Sequence, residues 1–198
     1  MNITPVAVLG TLAEFHKEPI PYDLNALVRL VSRLHPDLLC LDMTPEQWQQ
    51  RDFGGLPPEY REALLPLAYQ TDIVVAPIAG ENPPAELSAP GWRGTAIATL
   101  RRWLATLQRT APGPDAINQG LRHHVADSLY SLSAWLAGYK AQQSLRNHTD
   151  SLTQAVLKLA RRDPGARILV VVNVRHCHHI RTRLKKHPEI QVVKYSEF

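Results

Sequence analysis

The chain has 198 residues, 44% of them hydrophobic and 20% charged, with a formal net charge of +4 at pH 7. No apolar run approaches the roughly 20 residues of a membrane-spanning helix, and two cysteines, Cys40 and Cys177, are too few for a disulfide framework, so a helical membrane protein and a disulfide scaffold are excluded. The basic pairs at 101–102, 161–162 and 185–186 lie far apart in the chain and read as solvated helix faces rather than as a nucleic-acid footprint.

The opening MNITPVAVLG lacks the basic and long apolar regions of a signal peptide, so a strand and a cytoplasmic location are expected. Val6 to Leu9 is an apolar run closed by Gly10, and the loop after it carries Glu14 and His16. After the break at Pro19-Ile20-Pro21, Leu24, Leu27, Val28, Val31 and Leu34 repeat at helical spacing behind a capping Asp23, and the helix should end before Pro36. Leu38 to Leu41 form a second buried strand ending at Asp42. Thr44-Pro45-Glu46-Gln47 then supplies an N-cap, a proline at the first helical position and a capping-box glutamine for a short helix carrying Glu46 and Trp48. A strand–helix–strand unit of this length is parallel, which brings Gly10 and Asp42 to one sheet edge and gathers Glu14, His16, Asp42 and Glu46 there.

Gly54 to Pro58 is a turn, and a helix opening at Pro58-Glu59-Tyr60 runs to about Tyr69. Asp72 to Ile78 is a third strand, followed by a proline-rich stretch from Gly80 to Gly91 that reads as an ordered excursion or a lid. Helical patterns over Trp92 to Thr110 and Ala116 to Gln143 make an insertion (92–145) within a single domain (1–198), with Trp92, Trp103 and Trp135 expected to pack it onto the sheet. His123 and His124, about 100° apart on a helix, cannot both face a common site.

Leu152, Ala155, Val156 and Leu159 form an amphipathic stripe on a helix expected to begin near Thr149-Asp150, with Arg146 and Asn147 as its cap or as substrate-orienting groups. It feeds Arg167 to Ile180, RILVVVNVRHCHHI, in which Ile168 to Val172 is a strand buried on both faces and His176, Cys177, His178 and His179 follow its carboxyl end. Open α/β sheets place their ligand crevices there. Ile180 and Leu184 mark a last helix and Ile190 to Val193 a closing strand. The expected fold is α/β, a mainly parallel sheet of about five strands flanked by helices, with the helical insertion before the fourth strand.

The histidine cluster allows a metal, a planar cofactor such as haem, or surface and capping roles, and Cys177 is conceivable as a nucleophile. Asp42, at the end of a buried strand, requires solvent, a cation such as Arg146 or Arg175, or a metal.

Gly10-Thr11-Leu12 after the first strand, an acid ending the second, a helical middle and a late Val170-Val171-Val172-x-x-x-His176 together resemble the TraB/TIKI/erythromycin-esterase-like/ChaN-like superfamily. Its members carry a Gly-x-x-His near each end and an acid after the second strand. This chain reads Gly10-Thr11-Leu12-Ala13, Asp42 and Asn173-Val174-Arg175-His176 at those places. The resemblance implies a metal-assisted hydrolase or related acid–base enzyme for a small molecule. It implies a divalent metal on His176, Asp42 and either His16 or Glu14, with Glu46 or Glu59 as general base; Glu14, in the loop above the sheet, and Arg146, as a substrate-orienting group, are the other catalytic candidates that the residues themselves offer. Haem binding on a scaffold without the metal site is the alternative it suggests. A membrane partner is not expected, and a homo-oligomer is compatible with all of this.

Overall fold

A computed structural model describes residues 3–80 and 83–198. Five strands, β1 (Thr4–Thr11), β2 (Leu38–Leu41), β3 (Val74–Pro77), β4 (Ile168–Asn173) and β5 (Ile190–Val193), form one all-parallel sheet in the order β3-β2-β4-β1-β5. Parallel strands need covering on both faces, and the near-continuous apolar runs supply it. Ala7, Leu9, Leu39, Leu41, Leu169 and Val171 point into one core, while Val6, Val8, Leu38, Cys40, Ile168, Val170 and Val172 alternate into the other.

The first core is closed by Leu27, Leu30, Val31 and Leu34 of α1 (Leu24–Leu34), capped by Asp23 through its 2.7 Å bond from the Ala26 N–H, and by Tyr60 and Leu64. Thr44 and Gln47 make the expected capping box of α2 (Pro45–Gln50). A π-helical turn over Glu59–Leu64 leads into α3 (Leu65–Tyr69). The second core is closed by Leu152, Val156 and Ala160 of α7 (Tyr139–Arg162) and by Cys177, Ile180 and Leu184 of α8 (Val174–Leu184).

Strands β1 and β2 therefore lead into segments on the first face, whereas β4, lying between them, leads into α8 on the second. Where neighbouring strands send the chain to opposite faces, their carboxyl ends part and leave a crevice. This sheet has such a boundary on each side of β4.

The insertion before β4 comprises α4 (Gly91–Arg109), α5 (Pro114–Asn118), α6 (Gly120–Ala137) and most of α7. Trp92, Trp103 and Trp135 do not pack it onto the sheet: they are 68%, 61% and 60% exposed. The buried stripe of α4 includes Ile97, Leu100 and Leu104, of which Ile97 and Leu100 meet Leu136 of α6, while Trp103 and Trp135 fall one residue off Leu104 and Leu136 and Trp92 lies in the first turn of α4. The helix break also lies elsewhere than expected. Gly138, at φ 98°, separates α6 from α7, and α7 then runs unbroken through Thr149 and Asp150, so Arg146 and Asn147 cap nothing. Of the Gly80–Gly91 stretch, residues 81 and 82 lie outside the described residues, and with them part of the expected lid. Among the described residues no helix is long and apolar enough to cross a membrane.

β5 ends opposite Ala7 and leaves the last turn of β1 without a strand on that side. Side chains replace it. Gly10 N–H donates to Asn118 Oδ1 at 2.5 Å, Asn118 Nδ2 and Tyr22 Oη donate to the Gly10 carbonyl, and Arg181 donates to the Val8 carbonyl at 2.6 Å. A Cβ on Gly10 would lie 3.0 Å from Asn118 Oδ1, Cys177 Sγ and the Val174 Cα, of which the first is tied by its bond from the Gly10 N–H, the second is fully buried and the third is backbone. Gly10→Ala is expected to destabilise the protein by about 1–3 kcal/mol in urea unfolding, whereas Gly55→Ala, whose Cβ meets nothing within 4 Å among the described residues, should be close to neutral.

Candidate metal centre

The boundary between β2 and β4 carries Asp42, the first residue past β2, and His176, the third residue of α8. Tyr60 ties the two strand ends together: its hydroxyl donates to the Val171 carbonyl at 2.8 Å and accepts from the Asp42 N–H at 3.4 Å. Between Asp42 and His176 stands His148, from the middle of α7. Its Nε2 lies 3.0 Å from Asp42 Oδ2, and its ring centroid lies 5.2 Å from that of His176. Both imidazoles are buried and Asp42 is partly buried. Each of the three offers one ligand atom, and these atoms all lie within 4.8 Å of one another, so the group could hold a metal ion.

The protonation of His176 follows from its partners. Thr149 Oγ1 spends its single proton on the Leu145 carbonyl (2.9 Å), so at 2.8 Å from His176 Nδ1 it accepts from that nitrogen. Arg175 Nε can only donate, and it does so to His176 Nε2 at 2.9 Å. His176 is thus the neutral Nδ1–H tautomer. Burial first, and then the neighbouring Arg175 cation, hold its pKa well below the usual histidine value. Neutral imidazole is the form that ligates metals, and an Nδ1–H fixed by a neighbouring acceptor is the usual support for ligation through Nε2. Binding through Nε2 would exchange the Arg175 bond for the ion.

His148 adds an independent sign. Its Nδ1 is buried and, among the described residues, has no hydrogen-bond partner, a cost that native interiors seldom leave standing. Two imidazoles and one carboxylate suit first-row divalent ions such as Zn²⁺ or Fe²⁺, and three protein ligands are the number that leaves room for water or substrate. Asp42 and His148 line a cavity of about 340 Å³ with Thr44, Gln47 and Gly80, and His148 also borders one of about 610 Å³ lined by Lys140, Gln143, Ser144 and Asn147. These are small-molecule dimensions.

Of the sequence-expected metal ligands, Asp42 and His176 come together and His16 does not join them. Both nitrogens of His16 serve the backbone: Leu12 N–H donates to Nε2 at 2.9 Å and Nδ1 faces the Tyr22 carbonyl at 2.7 Å. Glu14 is exposed in the turn Ala13–Lys17, and Glu46 is exposed in the first turn of α2. Glu59 is buried in the π-helical turn, where desolvation raises its pKa, with its carboxyl facing the hydroxyl of Thr11, the last residue of β1, and away from the three converging side chains. Arg146 is exposed on α7, beside a different cavity from the one at Asp42. Cys177 is buried with its thiol pushed up to about 12 by desolvation, which is no state for a nucleophile, and Cys40 and Cys177 are both free.

His148 is the residue that the sequence reading passed over. It lies four residues before Leu152, and the spacing 148, 152, 156, 160 continues the buried stripe of α7 back to the sheet edge. No family model, curated protein or solved structure matches the chain.

Two outcomes follow from this geometry. Thr149→Val removes the acceptor that fixes the His176 ring and should weaken Zn²⁺ binding by about 10–100-fold in a competition titration. His16 titrates at about 4 in the folded chain against 6.5 ordinarily, chiefly because burial disfavours its cation. The neutral form is thereby favoured on folding, so its contribution is fully present above pH 6.5 and is lost as pH falls towards 4. Unfolding free energy should decline by on the order of 3 kcal/mol across that window through this group, and the non-titrating His16→Gln should flatten that part of the profile.

Proposed function

We propose that the chain is a metal-dependent hydrolase of a small molecule, and that it is a divergent member of the TraB/TIKI/erythromycin-esterase-like/ChaN-like superfamily. The observation that carries the reading is the convergence of Asp42, His148 and His176 within 4.8 Å at the β2–β4 boundary. The orphaned His148 Nδ1 and the neutral His176 support it.

A bound divalent ion supplies Lewis-acid polarisation of the substrate and acidifies water. The chain's own residues do the rest. Thr149 orients His176 through Nδ1, and Tyr60 keeps the ends of β2 and β4, and with them Asp42 and His176, at fixed separation. Lys140, Gln143, Ser144 and Asn147 offer polar groups to substrate in the larger cavity. The departure at Ala13 from the superfamily's first histidine is met, in this reading, by His148 supplying the missing imidazole from α7.

The test is a screen of small esters, amides and phosphoesters with protein stripped of metal and then reloaded with Zn²⁺, Mn²⁺ or Fe²⁺. Turnover should return with the ion. Asp42→Asn, His148→Ala and His176→Ala should each abolish it and lose ion affinity by more than the roughly 10–100-fold that an outer partner costs, while the exposed His124→Ala should behave as wild type. Turnover indifferent to metal, or three variants that still bind the ion, would reject the assignment.

A further inference from the structure

We infer that the cavity enclosed by α6, α7 and α8 beside the triad is a subsite for an anionic group, a carboxylate or a phosphate, on the small molecule this protein acts on. That this molecule is a substrate rests on the hydrolase reading; the anion site does not.

The cavity measures about 310 Å³. Arg146, Arg175 and Arg183 and the His179 ring line it against one carboxylate, Asp127. Arg183 is held by an ion pair with Asp150. Arg175 has no carboxylate within ion-pair distance among the described residues, and its one side-chain hydrogen bond there is from Nε to His176, which leaves both terminal nitrogens unspent. Arg146 has no side-chain partner among the described residues and stands on α7 one turn before Asp150. Tyr130 also lines the cavity. Its oxygen accepts from Gln108 Nε2 at 2.8 Å, which leaves its own proton to donate.

A partly buried guanidinium without a counter-ion is costly, and a guanidinium stays charged in proteins, so the arrangement is completed by an anion rather than by deprotonation. The planar fork of arginine matches carboxylate and phosphate oxygens and gives short charge-assisted bonds. The site shares a wall with the metal centre: Thr149 lines it and accepts from His176 Nδ1, while Arg175 lines it and donates to His176 Nε2. An anionic group held here would lie one side chain from His176, which places the subsite next to the triad although no triad residue lines its cavity.

The experiment titrates metal-stripped protein with inorganic phosphate and, separately, with malonate, at constant ionic strength set by chloride, by calorimetry. Saturable one-to-one binding of at least one anion is expected. Arg146→Gln, an exposed position whose loss does not threaten folding, should weaken it by about tenfold. Tyr130→Phe should weaken it by about fivefold, and Arg61→Gln, remote from the cavity, should leave it unchanged. Preference for phosphate assigns a phosphorylated compound, and preference for malonate assigns a carboxylate. Binding weaker than about 10 mM for both anions, or binding undiminished in both Arg146→Gln and Tyr130→Phe, would overturn the inference. Asp42→Asn separates the two readings: it should lose Zn²⁺ yet keep the anion. Loss of the anion in that variant places the binding elsewhere and also overturns the subsite. Anion binding without any Zn²⁺ binding in the wild type would sustain the subsite and remove the hydrolase.

Discussion

The central position of β4 governs the rest of this structure. Its two neighbours, β2 and β1, both lead the chain to one face of the sheet, while β4 leads it to the other. The carboxyl ends must part on each side of β4, and whatever side chains stand at those ends are drawn into a polar crevice over an otherwise apolar sheet. Asp42 and His176 are the groups so placed at the β2–β4 boundary. Tyr60 spans the same boundary with two hydrogen bonds and stops the crevice from relaxing.

The buried histidines show how this constraint separates structure from chemistry. His16 and His176 are both neutral and both buried. His16 gives each nitrogen to a main-chain group in its own loop, bonds that are lost only if the loop unfolds. His176 is held instead by a hydroxyl and a guanidinium, side chains that can exchange partners, and beside it His148 keeps one nitrogen without a partner among the described residues. A buried imidazole committed to backbone is a stabilising element, whereas one held by replaceable side chains is poised for a ligand.

Much of the scaffold was legible because it rests on local physics. β-branched runs such as Ile168 to Val172, the capping box at Thr44, the Asp23 cap and the prolines at 19, 21 and 36 each act over a few residues, and the all-parallel five-stranded sheet with its inserted helices followed from them. The site was legible in part. Asp42 and His176 were placed by the rule that strand ends line the crevice, which needs no knowledge of strand order. His148 was hidden because Asn147-His148-Thr149-Asp150 has the composition of a helix start, while tertiary packing of α7 carries the helix straight through it. The adjacency of β4 to both β1 and β2 was equally out of reach, since it depends on pairing between segments more than a hundred residues apart. The tryptophans of the insertion misled for a different reason: their size argues for burial, but the helix stripe, not size, decides which side faces in.

X-ray absorption at the zinc edge of the Zn²⁺-loaded protein reads the ligands themselves and not their consequences. A metal held by Asp42, His148 and His176 gives nearest neighbours of nitrogen and oxygen with outer scattering from two imidazoles, falling to one in His148→Ala. Sulfur in the shell, or a shell unaltered by loss of His148, would contradict it.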